Sequence, residues 1–155
     1  GRPEHTLQLT PFPIVQTDRG GQVTSHGPGQ LVVYLLLRLD HYQLSIRELV
    51  RAIEQAVINL LAEYGIRAYG KVDAPGVYVD EAKIASIGLR VKHGCTYHGV
   101  SLNIDMDMAP FNWINPCGYA NMRMIQLREL GVSDRFEDIS ERFLAHLHHT
   151  IAVKP

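Results

Sequence analysis

Cys117 is the residue of this sequence whose surroundings best suit a nucleophile. It stands between Pro116 and Gly118 in the stretch WINPCGYANM, which has neither a helical nor a strand period. Proline stiffens the backbone and glycine leaves it approachable, whereas a structural cysteine normally behaves as a small hydrophobe inside an apolar element. A reactive cysteine also needs a neighbouring cation that stabilises the thiolate. The pattern therefore predicts a reactive thiol whose partner lies elsewhere in the chain.

Lys83 is a candidate for that partner. It opens KIASIGLR, an otherwise apolar strand-like run that Gly88 interrupts. If Lys83 faces Cys117, its ammonium group stabilises the thiolate and the lysine then carries the proton. A lysine at a strand edge is more often a solvated residue that discourages edge pairing. From the residues alone, both interpretations stay open.

Two further glycine-containing stretches could surround the reacting atoms. RGGQVTSHGPGQ fits neither a P-loop nor a dinucleotide fingerprint, and tight turns explain it equally well. TYHGVSLNID places His98 and Gly99 in mid-strand, where a bulge or a core histidine is the simpler interpretation. Backbone N–H groups of Ser86–Gly88 and His98–Val100 could stabilise an oxyanion formed next to a thiolate.

Other candidate residues carry weaker signals. His146–His149 lie on a predicted helix and are expected to be solvated, so we expect no metal site. Cys95 adjoins a hairpin turn and is interpreted as structural or incidental, and Asp105–Asp107 as a turn. The four methionines are expected to line the core or a pocket: Met106, Met108, Met122 and Met124.

The sequence of the first half of the chain predicts two strands and one helix with clear start and stop signals. PIVQT predicts a short strand, and LVVYLLLRL (31–39) a central strand buried on both faces. Ser45 and Glu48 form a capping box, and Gly65 ends the helix. Between them an apolar stripe recurs at helical spacing and should pack on the sheet. Its members are Leu49, Ile53, Val57, Leu60, Leu61 and Tyr64.

The second half predicts three strands of an antiparallel meander and a closing helix. The strands are GVYVD, KIASIGLRV and TYHGVSLNID, with turns at Asp80-Glu81 and His93-Gly94. After an irregular loop around Cys117, a helix is expected at roughly Phe136–Ile151. The fold class is α+β, a mixed β-sheet with helices packed on one face, in one domain covering residues 1–155.

Composition excludes several classes of protein. A chain of 155 residues with 46% hydrophobic and 20% charged residues is an ordinary globular domain, and its net charge of −1 argues against nucleic-acid binding. The longest apolar run is too short to cross a membrane, and the first residues do not show the charged-then-apolar pattern of a signal peptide. Two cysteines favour free thiols in the cytoplasm. We expect a monomer.

The motifs resemble, in order and spacing, those of the LipB octanoyltransferase family, the lipoyl(octanoyl) transferases of lipoate biosynthesis. The resemblance spans Glu4 to about Leu130 and rests on RGGQVTSHGPGQ, DAPGVYV, KIASIGLR, TYHGVSLNID and INPCGY. It implies the α/β fold of the biotin and lipoate protein ligases. It also implies transfer of an octanoyl group from acyl carrier protein to a lysine of a lipoyl domain, through a cysteine thioester.

The resemblance assigns roles to residues of this chain. The nucleophile falls on Cys117 and its activating lysine on Lys83. The acyl-binding segments fall on Arg19, Gly20, Gly21, Gln22, Val23, Thr24, Ser25 and His26, on Ser86, Ile87 and Gly88, and on Gly99, Val100 and Ser101. Ser25 stands where an aromatic residue is common, which would open one wall of the pocket.

The resemblance also implies partners. The expected acceptors are lipoyl domains of 2-oxoacid dehydrogenases and the glycine cleavage H protein, and no cofactor is expected because acyl carrier protein brings the phosphopantetheine. A basic patch of Arg90, Lys92 and His93 is either a docking site for the acidic carrier or a solvated turn. Family members carry a further segment ahead of EHTLQL, so we expect this chain to lack an N-terminal segment.

Three alternative functions stay open. An ATP-dependent lipoate or biotin protein ligase would share the fold but would need a nucleotide and no catalytic cysteine. A non-catalytic acyl-binding relative would keep the pocket without turnover. A cysteine hydrolase would need a histidine beside Cys117, for which His26 or His98 would serve.

Overall fold

The computed structural model of the chain describes residues 24–113 and 122–152. Within these ranges four strands form one sheet in the order β1-β4-β3-β2, with every neighbouring pair antiparallel. The strands are β1 (Gln30–Tyr34), β2 (Gly76–Val79), β3 (Ala82–Lys92) and β4 (Cys95–Asn103). The helices are α1 (Leu39–Tyr42), α2 (Ile46–Glu63) and α3 (Phe136–Ala152), with 3₁₀ turns at Ala109–Trp113 and Leu127–Leu130.

Helix α2 forms as its sequence predicts. The Ser45 hydroxyl accepts a hydrogen bond from the N–H of Glu48 (3.1 Å), and the Glu48 carboxylate accepts one from the N–H of Ser45 (3.3 Å). The helix ends at Tyr64, and Gly65 follows with a left-handed backbone (φ +73°). The stripe from Leu49 to Leu61 is buried against β2 and β3.

Helix α3 packs on α2 and completes the core. Its buried residues are Ile139, Phe143, Leu147 and Ile151, each four residues after the last, so that they share one face. The expected helix at roughly Phe136–Ile151 is confirmed.

The antiparallel meander β2-β3-β4 is confirmed, and both of its turns have two residues. Asp80 and Glu81 have φ of 46° and 67°, and His93 and Gly94 have φ of 53° and 75°. Two left-handed residues in succession define the turn whose twist matches that of paired strands. The turns set the register that aligns β3 with β4.

The expectation of a strand over residues 31–39 that is buried on both faces is wrong in extent and in burial. Strand β1 ends at Tyr34 and lies at the edge of the sheet that the described strands form. Tyr34 is 71% exposed and Leu36 76% exposed, so this run is not buried on both faces. Beyond Tyr34 the Thr96 hydroxyl replaces a backbone group in the ladder, accepting from the N–H of Leu37 (3.0 Å) and donating to the carbonyl of Leu35 (2.7 Å).

A parallel bridge beside the start of β3 makes the sheet mixed, as predicted. Strand β4 ends at Asn103, and the segment around Met124 takes its place next to Lys83. The N–H of Lys83 donates to the carbonyl of Arg123, and the N–H of Ile125 donates to the carbonyl of Lys83, both at 2.9 Å. This segment is therefore fixed to the residue that the sequence singles out.

The expected strand PIVQT lies outside the residues that the structure describes. Among the helices of residues 24–113 and 122–152, none is long and apolar enough to cross a membrane.

Candidate active site

Lys83 is buried, with 3% of its surface exposed. It pairs with Tyr78 of β2 on one side and with Met124 on the other. A solvated edge lysine would be exposed, so the interpretation of Lys83 as a surface residue is wrong. Burying a lysine costs desolvation free energy, and lysine is rarely buried to this extent, so its burial marks Lys83 as a functional candidate.

Gly76 forms one wall of the space that holds the Lys83 side chain. A Cβ placed on Gly76 would stand 2.7 Å from Cε and 3.5 Å from Nζ of Lys83. Gly76 also has a φ of 145°, which side-chain-bearing residues rarely adopt. Glycine is therefore required here, both by backbone conformation and by the path of the lysine.

Two buried side chains hold the loop that ends at Gly76. Glu54 of α2 accepts a hydrogen bond from the N–H of Gly76 through Oε2 (3.1 Å). The hydroxyl of Tyr78, which is fully buried, donates to the carbonyl of Ala74 (3.1 Å). Helix α2 thus positions the wall against which Lys83 lies.

Burial raises the pKa of the Glu54 carboxyl above its ordinary value. The hydrogen bond from Gly76 and the charge of Arg51 act in the opposite direction but do not cancel the desolvation. The carboxyl is 9% exposed. Burial of the Glu54 carboxyl therefore costs electrostatic free energy, while its hydrogen bond holds the Gly76 peptide group in place.

The two predicted acyl-binding segments on β3 and β4 lie directly opposite each other. Ser86 pairs with Ser101, Ile87 with Val100, and Gly88 with Gly99. Side chains alternate along strands, and Ile87 and Val100 point into the main core. Ser86, Gly88, Gly99 and Ser101 therefore share the other side of the sheet, which we call the small-residue face.

Strand β1 borders the small-residue face with larger side chains. Val32 pairs with Ser101, and Tyr34 with Gly99. Val32 is 38% exposed and Tyr34 71% exposed. The small-residue face therefore has small residues on β3 and β4 beside larger side chains on β1, while the side chains of Ile87 and Val100 point to the opposite side.

Gly99 is where β1 approaches β4 most closely. A Cβ on Gly99 would stand 1.9 Å from the carbonyl oxygen of Val33. The preceding His98 has a φ of 64°, and its carbonyl accepts from the N–H of Leu35 (2.8 Å). The His98-Gly99 pair is thus a local backbone distortion inside β4, but not a bulge toward β3, because Gly88 pairs with Gly99 and Leu89 with His98 without a register shift.

His26 joins a chain of polar side chains at the beginning of β1. Its Nδ1 lies 2.8 Å from Oε1 of Gln30. The Nε2 amide of Gln30 donates to Oδ1 of Asn103 (2.9 Å), and Nδ2 of Asn103 donates to the carbonyl of Ile125 (3.1 Å). The loop residues Thr24–His26 are in this way connected to the segment beside Lys83.

A cavity of about 520 Å³ lies on the far side of that segment. Its lining includes Phe111, Gln126 and all four methionines of the chain, which confirms that these line the core or a pocket: Met106, Met108, Met122 and Met124. Methionine side chains are unbranched and polarizable, so this lining can adapt to the shape of an apolar group.

The remaining candidates lie away from Lys83 or outside the description. Cys117 and Arg19–Val23 fall outside the described residues, so their roles stay predictions. Cys95 is an exposed free thiol at the start of β4. His146 lies 3.2 Å from a carboxylate oxygen of Glu63 on α2.

The sequence alone does not identify the residues that hold the site in place through hydrogen bonds. Glu54 lies on the same face of α2 as Val57 and Leu61, and a carboxylate within an apolar stripe is a visible signal. Gly76 lies within DAPGVYV, but the sequence alone assigns this glycine no chemical role. Gln30 and Asn103 carry no local signal, because their importance depends on the pairing of β1 with β4.

The sequence matches a known protein family and several curated proteins. Residues 3–148 match the family described as the lipoyl protein ligase A/B catalytic domain. An octanoyltransferase of Chromobacterium violaceum is 59% identical over 152 residues, which cover 98% of this chain and 73% of the relative. An octanoyltransferase of Laribacter hongkongensis is 57% identical with the same coverage of both chains.

Solved structures share the fold at low sequence identity. A lipoate-protein ligase A bound with ATP superposes with a TM-score of 0.69 at 16% identity, over 88% of this chain and 58% of that one. A biotin protein ligase from Aquifex aeolicus superposes with a TM-score of 0.64 at 18% identity, over 79% of this chain and 53% of that one. The chain thus spans a little more than half of each of these structures, and the expected ligase-like fold is confirmed.

Proposed function

Since this chain belongs to the octanoyltransferase family, within the lipoyl protein ligase A/B catalytic domains, we propose that it moves an octanoyl group from acyl carrier protein to a lysine of a lipoyl domain. The observation that carries the proposal is the burial of Lys83 beside the Arg123–Ile125 segment. Cys117 precedes Arg123 by six residues in the sequence, so a short stretch of chain joins the proposed nucleophile to the neighbours of the proposed base.

The proposed first half-reaction acylates Cys117. The Lys83 amine takes the thiol proton, and the thiolate attacks the carbonyl carbon of the octanoyl thioester. The bond between that carbon and the phosphopantetheine sulfur breaks, and Lys83 returns the proton to the leaving sulfur. The product is an octanoyl thioester on Cys117, with Lys83 again neutral.

The proposed second half-reaction transfers the octanoyl group to the acceptor lysine. Its uncharged amine attacks the thioester carbon, a C–N bond forms and the C–S bond to Cys117 breaks. The proton lost from nitrogen passes through Lys83 to the cysteine sulfur. No nucleotide takes part, which separates this mechanism from that of an ATP-dependent ligase.

The small-residue face is the proposed site for the octanoyl chain. Ser86, Gly88, Gly99 and Ser101 present no bulky side chain, and Ser86 follows Lys83 by three residues along β3. Burying each methylene stabilises the complex by about 0.8 kcal/mol. Length discrimination by depth alone is modest, about 10–200-fold per methylene.

The proposed partners are an acyl carrier protein as donor and lipoyl domains as acceptors, in the cytoplasm, where the exposed thiol of Cys95 stays reduced. Arg90, Lys92 and His93 are exposed, as a docking patch requires. Arg90 follows Lys83 by seven residues along β3, which places the patch roughly 23 Å from the lysine. A carrier bound there would have to extend its arm over the small-residue face.

An assay with and without nucleotide tests the proposed function. The chain is mixed with octanoyl-acyl carrier protein and a lipoyl domain, and the mass of the lipoyl domain is followed. We expect a gain of one octanoyl group without ATP, and none when the acceptor lysine is replaced by arginine. Transfer from free octanoate that requires ATP would instead identify a ligase. Binding of the octanoyl carrier without transfer would identify an acyl-binding relative.

A further inference from the structure

We propose that Gln30 and Asn103 are positioning residues that fix the tautomer of His26, so that Nε2 of this ring accepts a proton from the ammonium group whose uncharged amine then attacks the acyl-enzyme. The identity of that amine, the acceptor lysine, rests on the proposed function. The orientation of the ring rests on the hydrogen bonds alone. We call the chain of groups from His26 through Gln30 and Asn103 to the carbonyl of Ile125 the amide relay.

The direction of the hydrogen bonds along the amide relay is determined at its buried end, where Asn103 meets the carbonyl of Ile125. A backbone carbonyl can only accept, so the group that Asn103 presents to Ile125 must be its NH₂. Oδ1 of Asn103 then faces Gln30 and can only accept. Asn103 is 1% exposed and Gln30 8% exposed, so water does not compete for these positions.

A second carbonyl fixes Gln30 in the same sense. The Nε2 amide of Gln30 also lies 3.4 Å from the carbonyl oxygen of Ser25, which again can only accept. Both anchors leave Oε1 of Gln30 as the atom that faces Nδ1 of His26, at 2.8 Å. Nδ1 must therefore carry the proton. In the neutral ring Nε2 is then a base with a lone pair.

The amide relay lies on the side of the sheet proposed for the substrate. Gln30 pairs with Asn103, and two residues further along each strand Val32 pairs with Ser101. Because side chains two residues apart share a face, Gln30 and Asn103 continue the small-residue face. They stand at its end nearest the Arg123–Ile125 segment. His26, whose side chain is exposed, caps that end.

This placement matches a need of the second half-reaction. A lysine side chain in water carries a proton that must leave before its nitrogen can attack. His26 Nε2 takes this proton from the ammonium group and becomes an imidazolium, and the uncharged amine then forms the C–N bond. The exposed ring afterwards releases the proton to water, which restores the neutral tautomer.

The tautomer is tested directly by nuclear magnetic resonance. Long-range ¹H–¹⁵N correlations of the neutral His26 ring distinguish a protonated from an unprotonated nitrogen, and the His26→Asn variant assigns the signals. We expect protonated Nδ1 and unprotonated Nε2. A ring with protonated Nε2 would overturn the proposal whether or not the chain transfers octanoyl groups.

The chemical role is tested with two nucleophiles. In His26→Asn the side-chain amide can still donate to Gln30, but the base is gone. The acyl-enzyme is formed first, so that only its discharge is compared. We expect discharge by the lipoyl domain to slow roughly 100-fold more than discharge by hydroxylamine, which is uncharged at neutral pH. Equal slowing with both nucleophiles, or none with the lipoyl domain, would overturn the role.

The relay itself is tested through Gln30→Met. Methionine has no oxygen that accepts from Nδ1, so the ring is no longer held with its proton on Nδ1. We expect discharge by the lipoyl domain to slow more than discharge by hydroxylamine. Gln55→Met is the matched control, because Gln55 bonds Asn59 on the exposed face of α2 (2.7 Å) and should leave both rates unchanged. Unaltered discharge in Gln30→Met would contradict the relay. Should the unchanged chain form no acyl-enzyme at all, the proposed function fails while the tautomer remains decided by resonance.

Discussion

The side chain of Lys83 runs across Gly76 so closely that a methyl group on the glycine would stand 2.7 Å from Cε of the lysine. Gly76 is in turn tied by its N–H to the buried carboxyl of Glu54. The proposed base of the reaction is thus oriented from α2, through one peptide group, rather than by residues of its own strand alone. Substitutions of Gly76 and of Glu54 therefore test how the Lys83 side chain is held.

Gly76→Ala should displace the lysine and slow acylation. The added methyl meets Cε of Lys83 at 2.7 Å and the carbonyl oxygen of Ala85 at 2.8 Å, so the side chain must move. Misplacing a reacting group by about 1 Å costs roughly 100-fold in rate. The rate of acyl-enzyme formation is measured by intact mass after rapid quenching.

Gly131→Ala is the control for the backbone strain in that experiment. Gly131 also has a positive φ (84°), but a Cβ there meets nothing within 4 Å. We expect a smaller loss of stability than in Gly76→Ala, and no loss of rate. Acylation of Gly76→Ala at the rate of the unchanged chain would show that Lys83 does not need its present position.

Gly99→Ala should destabilise the fold itself. Its Cβ would stand 1.9 Å from the carbonyl oxygen of Val33, so β1 would have to separate from β4. We expect a loss of about 3 kcal/mol in the free energy of unfolding, measured by urea denaturation. Gly94→Ala, where a Cβ meets open space at φ +75°, should cost only about 1 kcal/mol. Equal losses in the two variants would refute the close approach.

Glu54→Gln should change the pH dependence of stability. Because burial raises the pKa of Glu54, the unfolded chain releases this proton at a lower pH than the folded chain does. The stability of the unchanged chain relative to Glu54→Gln is therefore greatest below the unfolded-state pKa, and it falls as pH rises through the folded-state value. The glutamine keeps an oxygen for the N–H of Gly76.

Melting temperatures between about pH 4 and pH 7 measure this difference. Glu141→Gln, on the exposed side of α3, is the control and should show no such trend. A difference between the unchanged chain and Glu54→Gln that is constant over this range, or that grows in favour of the glutamate, would contradict the raised pKa.

Thr96→Val should weaken the attachment of the chain beyond β1. The side chain is 2% exposed, and its hydroxyl bonds both Leu35 and Leu37. Valine has nearly the same shape but leaves these backbone groups unpaired, which costs about 2 kcal/mol. Thr150→Val, whose hydroxyl makes a long bond on α3 (3.3 Å), should cost less than half as much. Urea denaturation compares the two, and a larger loss at Thr150 would refute the bridging role.

The elements that formed as predicted are those specified by local sequence. The capping box at Ser45 and the stripe of α2 need no information from distant residues. The same holds for the hairpin turn at His93-Gly94. In contrast, the run 31–39 is apolar except for Arg38, and nothing in it tells a strand buried on one face from one buried on both. Its regular pairing ends at Tyr34, opposite the distorted His98-Gly99 pair, and the hydroxyl of Thr96, far away in sequence, bonds the residues that follow.

The residues of the site divide in the same way, into those that local sequence marks and those that only the tertiary structure brings together. Lys83 could be singled out from its strand, but its burial depends on Gly76 and on the segment around Met124, which only the folded chain brings together. Gln30 and Asn103 are ordinary amides in sequence, 73 residues apart. Their direction as hydrogen-bonding groups follows from carbonyls that the tertiary structure places beside them.

The most direct test of the central claim is the intact mass of the chain after mixing with octanoyl-acyl carrier protein alone. We predict one octanoyl adduct, absent in Cys117→Ser, strongly reduced in Lys83→Ala, retained in the control Cys95→Ser, and discharged when a lipoyl domain is added. An adduct that survives Cys117→Ser, or a folded chain that forms none while octanoyl groups still reach the lipoyl domain, would contradict a covalent route through Cys117 and Lys83.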